Sequence, residues 1–226
     1  MSVHEGHRHR LKTRFIEHGL DNFNELNALE LLLFYAIPRR DTNVLAHDLL
    51  DRFGSLGGVF DAGIRELTEV PGIGENAALL IKLVPQMTKK CQMSRVNDIR
   101  VFRSSSDMAR FLIPRFMDER DEVALLLCLD SRKSLICCEV LNRGVVNAVD
   151  ITVRRLVETA LKNKAAALVL AHNHPEGIAL PSREDEAFTQ KAKDALRLMG
   201  IELLDHIIIA EDRYFSMRDS GLFGRF

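Results

Sequence analysis

The sequence predicts an α/β protein, with a small all-α domain over residues 1–95 followed by a mixed α/β domain over residues 96–226. Three observations carry this. The first ninety or so residues place their apolar side chains at helical spacing, punctuated by Gly and Pro. From Val123 onward, apolar runs of strand length are interleaved with segments of helical period, and at least one strand pair is joined by a short turn. Between the two regions, Cys91 to Arg103 is polar and charged with few apolar residues, so the boundary is placed near Val96.

A chain of 226 residues has room for one large domain and a small one. Its 31 Lys and Arg balance 32 Asp and Glu, so no global field drives it to nucleic acid or membrane, and any such binding must be local. No apolar run approaches the ~20 residues of a membrane span. The start, MSVHEGHRHR, has no hydrophobic signal core, so the protein is expected to stay in the cytoplasm. Of four cysteines, Cys137 and Cys138 are adjacent, Cys128 lies in an apolar run, and none forms a Cys-x-x-Cys pair. They read as reduced core residues, which argues against a cysteine zinc site.

In chain order, His9 to His18 is a polar helix ended by Gly19, and Glu25 to Tyr35 is an apolar helix stopped by Pro38. A third begins at Asp41 or Thr42 and ends near Gly54, with Val44, Leu45, Leu49, Leu50 and Phe53 on one stripe. His7 and His9 also form His-x-His, but on a helix their side chains diverge, and they read as ordinary solvated residues. The stretch Val70-Pro71-Gly72-Ile73-Gly74 between two helical segments resembles a helix-hairpin-helix motif. Its glycines would let the backbone turn tightly and bring N–H groups to a DNA phosphate, a contact blind to sequence. Gly72, Ile73 and Gly74 are therefore candidate contacts to duplex DNA, with Lys82, Lys89 and Lys90 in support. Against this, residues 1–95 hold twelve basic and twelve acidic side chains, and strong DNA binders are usually basic. The competing reading is a helix pair packed by Ile73, Leu79, Leu80 and Leu83 that connects elements or binds protein.

In the second domain a helix capped by Ser106 or Asp107 precedes a buried strand, Val123 to Leu129. Asp130-Ser131-Arg132-Lys133 turns it into a second strand from Ser134 to Leu141. Asp150 is expected to cap a helix bearing Val153, Leu156, Val157, Ala160 and Leu161. A strand from Ala165 to Ala171, a helix from Ser182 to Met199, a strand from Ile201 to Ile209 and a short strand from Tyr214 to Met217 complete the chain.

The strand from Ala165 delivers His172, Asn173 and His174, and Pro175 ends it. Side chains two apart on an extended backbone point to one side, so the two imidazoles converge. Ten residues rich in turn formers separate His174 from Asp185, and the helix starting at Ser182 returns Asp185 toward the strand end. Two imidazole nitrogens and a carboxylate oxygen suit Zn²⁺ and leave a fourth position for water. The bland reading is that Ser182-x-x-Asp185 is simply a capping box.

The string HNHPEGIALPSRED resembles the signature of the MPN/JAMM metallohydrolases, and the chain as a whole resembles the RadC family, whose LLDHII piece is matched by LLDHIII at Leu203 to Ile209. The resemblance implies the MPN fold, a curved mixed sheet flanked by helices. It also implies a zinc hydrolase that cleaves a peptide, isopeptide or other amide bond. Two departures stand out: Glu176 replaces a usual Ser, and Arg154 keeps the Arg of a Pro-Arg-Glu segment whose neighbours are Val153 and Arg155 here. By the same resemblance an upstream Glu acts as general base and Ser182 donates to the oxyanion. Glu139 is the best candidate base, because on its strand it shares a face with Leu135, Cys137 and Leu141; Glu158, Glu176, Glu184 and Glu202 are the alternatives. The rival reading is a DNA repair or recombination accessory that uses zinc structurally. A zinc nuclease or deaminase is disfavoured, since deaminases use His-x-Glu with a Pro-Cys-x-x-Cys that the chain lacks and the letters HNH are not evidence for a nuclease.

Overall fold

The computed structural model describes residues 3–38, 40–144, 152–175 and 177–224. They fall into two compact units, residues 1–88 and 89–226, divided inside a long helix. No helix among the described residues is long and apolar enough to cross a membrane.

The first unit contains α1 (Val3–His18), α2 (Glu25–Ala36), α3 (Thr42–Phe53), the short α4 (Leu56–Asp61) and α5 (Ile64–Thr68), and the start of α6 (Glu75–Val96). Side-chain caps set the starts. Asn24 accepts from the Asn27 N–H and Asp41 from the Asn43 N–H, while Gly54 at φ 82° ends α3 in the left-handed region. Leu29, Leu33, Leu49, Leu67 and Ile81 form the centre of the core. On α6 the buried stripe is Ala77, Ala78 and Ile81, so Leu79 and Leu83 lie round the helix and are exposed, contrary to expectation. His7 is not a plain solvated residue either: its Nε2 lies 3.0 Å from the buried carboxylate of Glu30.

The second unit adds α7 (Ser105–Phe116), β1 (Val123–Leu129), β2 (Leu135–Arg143), α8 (Val153–Lys162), β3 (Ala167–Asn173), α9 (Arg183–Leu198), β4 (Glu202–Ala210) and β5 (Arg213–Ser216). The sheet order is β2-β1-β3-β4-β5; β3 and β4 are parallel across α9, and the other pairs are antiparallel. β3 is the middle strand and is buried on both faces, which is why it reads as an unbroken apolar run. Phe102, Phe111, Leu127, Val169 and Ile207 pack on the α7 side. Leu126, Leu156, Leu170, Ala192 and Leu196 pack on the side of α8 and α9.

Local chemistry explains the turns and corrects four expectations. Asp130 Oδ1 accepts from the N–H groups of Arg132 and Ser134, both at 2.8 Å, closing the β1–β2 hairpin with Lys133 in the left-handed region. The cap of α7 is Ser104, which accepts from the Asp107 N–H, so Asp107 sits at the third helical position and not at the cap. Asp150 lies outside the described residues, and Thr152 caps α8. A bulge between Cys128 and Leu129 shifts the β2 register, so Leu135 packs on the α7 side while Cys137 and Leu141 pack on the other. The cysteines are free; Cys128 is buried, Cys137 and Cys138 are half-buried, and Cys91 is exposed, where core positions were expected. Burial pushes the Cys138 thiol up to about 11.

Asp205 on β4 is fully buried. Its Oδ1 accepts from the N–H groups of His206 at 2.8 Å and Arg218 at 3.0 Å, and its Oδ2 accepts from Ser216 Oγ at 2.5 Å. Burial raises its pKa against the pull of these bonds. Asp205→Ala orphans three donors, two of them buried, and should cost about 3 kcal/mol or more in urea unfolding. Asp205→Asn should cost clearly less, because the amide oxygen still accepts both N–H groups. Equal losses would show that charge, and not the acceptor set, holds this corner.

Candidate metal centre

β3 carries the site because its last residues leave the sheet with their side chains already ordered. His172 is paired with Ala124 of β1 and Ile208 of β4. Between the two histidines Asn173 is buried, its Oδ1 accepting from the Val123 N–H at 2.7 Å and its Nδ2 donating to the Asp121 carbonyl at 3.1 Å. This ties the end of β3 to the start of β1. The His174 N–H donates to the Ile209 carbonyl at 2.8 Å, the last rung to β4 before Pro175, which has no N–H. Gly177 then passes so close that a Cβ there would lie 3.1 Å from His174 Cβ.

The imidazoles converge as expected: His172 Nε2 and His174 Nε2 are 2.9 Å apart. Asp185, at the third position of α9, presents Oδ1 3.5 Å from His172 Nε2 and Oδ2 3.8 Å from His174 Nε2. Ser182 orients this carboxylate. Its N–H and its hydroxyl both donate to Asp185 Oδ2, at 2.8 and 2.7 Å, and its Oγ accepts from the Asp185 N–H. The capping box and the site are thus the same atoms. Burial works against the Asp185 charge, but the neighbouring His172 imidazole and the two Ser182 bonds outweigh it and hold the carboxyl well below the usual range.

This donor set fits a divalent cation. The candidate ligand atoms of His172, His174 and Asp185 all lie within 4.8 Å of one another. His174 Nδ1 lies 3.1 Å from the Ile178 carbonyl, which can only accept, so that nitrogen carries the proton and Nε2 keeps its lone pair. His172 is 6 % exposed, against 20 % for His174 and 13 % for Asp185, so the site opens on one side. A cavity of about 410 Å³ abuts His174 and Pro175, with Ile113, Phe116 and Ile209 among its apolar lining.

The other expected residues are placed differently. Glu139 lies on the α8 and α9 side of the sheet, the side of His172, but at the level of Leu126 and Leu170, two strands away on β2. Its carboxylate accepts from Asn163 Nδ2 at 2.8 Å and lies 3.8 Å from Lys162 Nζ, at the far end of α8. It is not brought together with the histidines. Arg154 is a surface residue paired with Glu158 at 2.7 Å, and Glu176 lies outside the described residues.

Two residues that the sequence reading assigned no role complete the centre. His206 of β4 is buried, with Nε2 2.8 Å from His172 Nδ1 and Nδ1 2.6 Å from Thr189 Oγ1 of α9. Burial, and then the neighbouring His172, hold its pKa well below the ordinary value, so it is neutral. The available signal was Asp205-His206 inside the otherwise aliphatic LLDHIII: two polar residues in a strand buried on both faces need partners. Thr189 gave no signal.

Comparison with known proteins agrees with this geometry. The RadC-like JAB domain family matches residues 102–222. A UPF0758 protein of Rhodobacter capsulatus is 37% identical over 212 residues, covering 94% of this chain and 99% of that protein. A family match over more than half of the chain, and a relative alike over nearly all of it, together show that the chain belongs to the RadC family.

Proposed function

We propose that the chain is a zinc-dependent metallohydrolase of JAMM type that cleaves a peptide, isopeptide or other amide bond. The observation that carries this is the convergence of His172 Nε2, His174 Nε2 and an Asp185 carboxylate held ionised by Ser182. Those three residues would hold the ion. Zinc there would supply a Lewis acid and bring the pKa of bound water from about 15.7 toward about 7. A structural zinc takes four protein ligands, whereas among the described residues three converge here and the site is open at His174, which favours catalysis over a purely structural role.

The remaining work falls to the chain's own groups. Glu139 is the proposed base, and to take a proton at the site its carboxylate must leave Asn163 and come closer to His172 than its place two strands away on β2. Ser182 is the proposed oxyanion donor, and its one hydroxyl proton must first leave Asp185 Oδ2. The backbone N–H of Ser182 still holds that oxygen when it does.

DNA contact remains a proposal for the first unit. Gly72 at φ 95° supports a tight hairpin, and Gly74 is exposed at the start of α6, where N–H groups lack helical partners. The supporting lysines are fewer than expected: Lys82 Nζ donates to the Phe60 and Asp61 carbonyls, and Lys89 Nζ to the Met117 carbonyl. Lys90 is exposed, and the exposed Arg40 lies beside Gly72.

Purified protein should carry about one zinc per chain, and His172→Ala, His174→Ala or Asp185→Ala should each strip it, read by metal analysis; full occupancy in all three variants would refute the site. Glu139→Gln should lower amide hydrolysis on the order of 10²- to 10⁴-fold with zinc retained. Unchanged activity would place the base elsewhere. The full chain should bind duplex DNA weakly, without sequence preference and less as salt rises. Gly74→Glu, which meets no atom within 4 Å, should abolish that by repelling phosphate; binding that survives it would exclude the hairpin as the contact.

A further inference from the structure

The metal-facing nitrogen of His172 is set from a distance, and the direction of each hydrogen bond can be worked out from one group that cannot donate. The backbone carbonyl of Asp185 lies 2.6 Å from Thr189 Oγ1. A carbonyl only accepts, so the single hydroxyl proton of Thr189 points there. Thr189 Oγ1 must then accept from His206 Nδ1, 2.6 Å away. His206 is buried with an imidazole and a hydroxyl as its ring partners, so it is neutral, and with the proton on Nδ1 its Nε2 is an acceptor. His172 Nδ1, 2.8 Å from that Nε2, is obliged to donate. The proton of His172 is therefore on Nδ1, and its Nε2 presents a lone pair to His174 Nε2 and Asp185.

We propose that Thr189 and His206 are positioning residues that lock His172 into the tautomer able to bind a metal, reading the lock from the backbone of the third ligand, Asp185. The bonds form a chain across three elements. It runs from His172 on β3 to His206 on β4, to Thr189 on α9, and back to Asp185 one turn earlier on the same helix. A shift of α9 that displaced the Asp185 ligand would also loosen the acceptor that orients His172, so ligands from two separate elements are set together. With both Nε2 atoms bare and 2.9 Å apart beside a carboxylate, the centre repels itself until a cation enters. Thr189 thereby governs metal affinity without touching the metal.

This rests on the proposed metal site, and the test separates the two. In the full-length protein stripped of metal by chelator, long-range ¹H–¹⁵N correlation of the imidazoles should show His172 with the proton on Nδ1 and an unprotonated Nε2. Thr189→Val keeps the shape but removes the acceptor; His206 is then free to carry its proton on Nε2 and donate to His172, driving the His172 proton to its own Nε2. Zinc affinity, measured by chelator competition, should fall about 10- to 100-fold. Thr189→Ser restores the hydroxyl and should restore both the tautomer and the affinity. His206→Leu serves as the second variant and should weaken zinc binding similarly. A wild-type His172 protonated on Nε2, or Thr189→Val with unchanged tautomer and affinity, would overturn the relay. If the wild type binds no zinc, the metal reading fails, while the imidazole spectra still decide the relay.

Discussion

Polar atoms removed from water must find partners, and that constraint organises the carboxyl end of β3 and the middle of β4. His172, Asn173, Thr189, Asp205, His206 and Ser216 are all buried there. Asn173 is spent on the backbone that opens β1, Asp205 on the turn after β5, and His206 on the link between His172 and Thr189. Each such bond adds only about 0.5–1.5 kcal/mol net, yet losing one partner strands the other at a cost of about 1–3 kcal/mol. The network therefore resists change at any member, and it fixes the two imidazoles more firmly than a loop could. Strand and helix backbones supply most of the geometry, and the connector from Pro175 to Leu180 contributes the Ile178 carbonyl that orients His174.

How much of this was legible follows from how local each signal is. His172, His174 and Asp185 could be read because a strand period brings the first two together and a helix start returns the third within a short segment. The strand of Val123 to Leu129 was readable to the residue for the same reason, being a continuous apolar run between turns. Caps were read less well at α7, where Ser104, Ser105, Ser106 and Asp107 compete and only the Asp107 N–H contact decides. Leu135 was assigned to the wrong face because strict alternation ignores a bulge that exists only in the pairing of two strands. His206 and Thr189 stayed hidden because their meaning lies in partners on other elements, 34 residues away in the case of His206 and His172.

Charge was misjudged for a related reason. Counting Lys82 and Lys89 as free cations overlooks the helix carbonyls and turn carbonyls that lack partners of their own. Lys82 reaches the end of α4 and Lys89 the residue that closes α7, so both ammonium groups support folding before they can serve a phosphate. Glu139 follows the same logic from the acidic side. Its shared face with Cys137 and Leu141 was correctly read as an awkward setting for a carboxylate, but the partner found was Asn163 at the end of α8.

Ser182 carries the sharpest conflict between holding the fold and doing chemistry. As a cap it contributes about 1 kcal/mol through its oxygen, which accepts from the Asp185 N–H. As a donor it has one proton, now committed to a carboxylate, and charge-assisted bonds of that kind are worth about 1.5–3 kcal/mol. Lending the proton to an oxyanion leaves the cap intact, because accepting and donating use different parts of the hydroxyl. Asp185 Oδ2 would then keep the Ser182 N–H, and an ion bound to the carboxylate would offset the lost bond by drawing on the same charge. The conflict thus weakens once the centre is filled, and the hydroxyl becomes available in the state where the proposed reaction needs it.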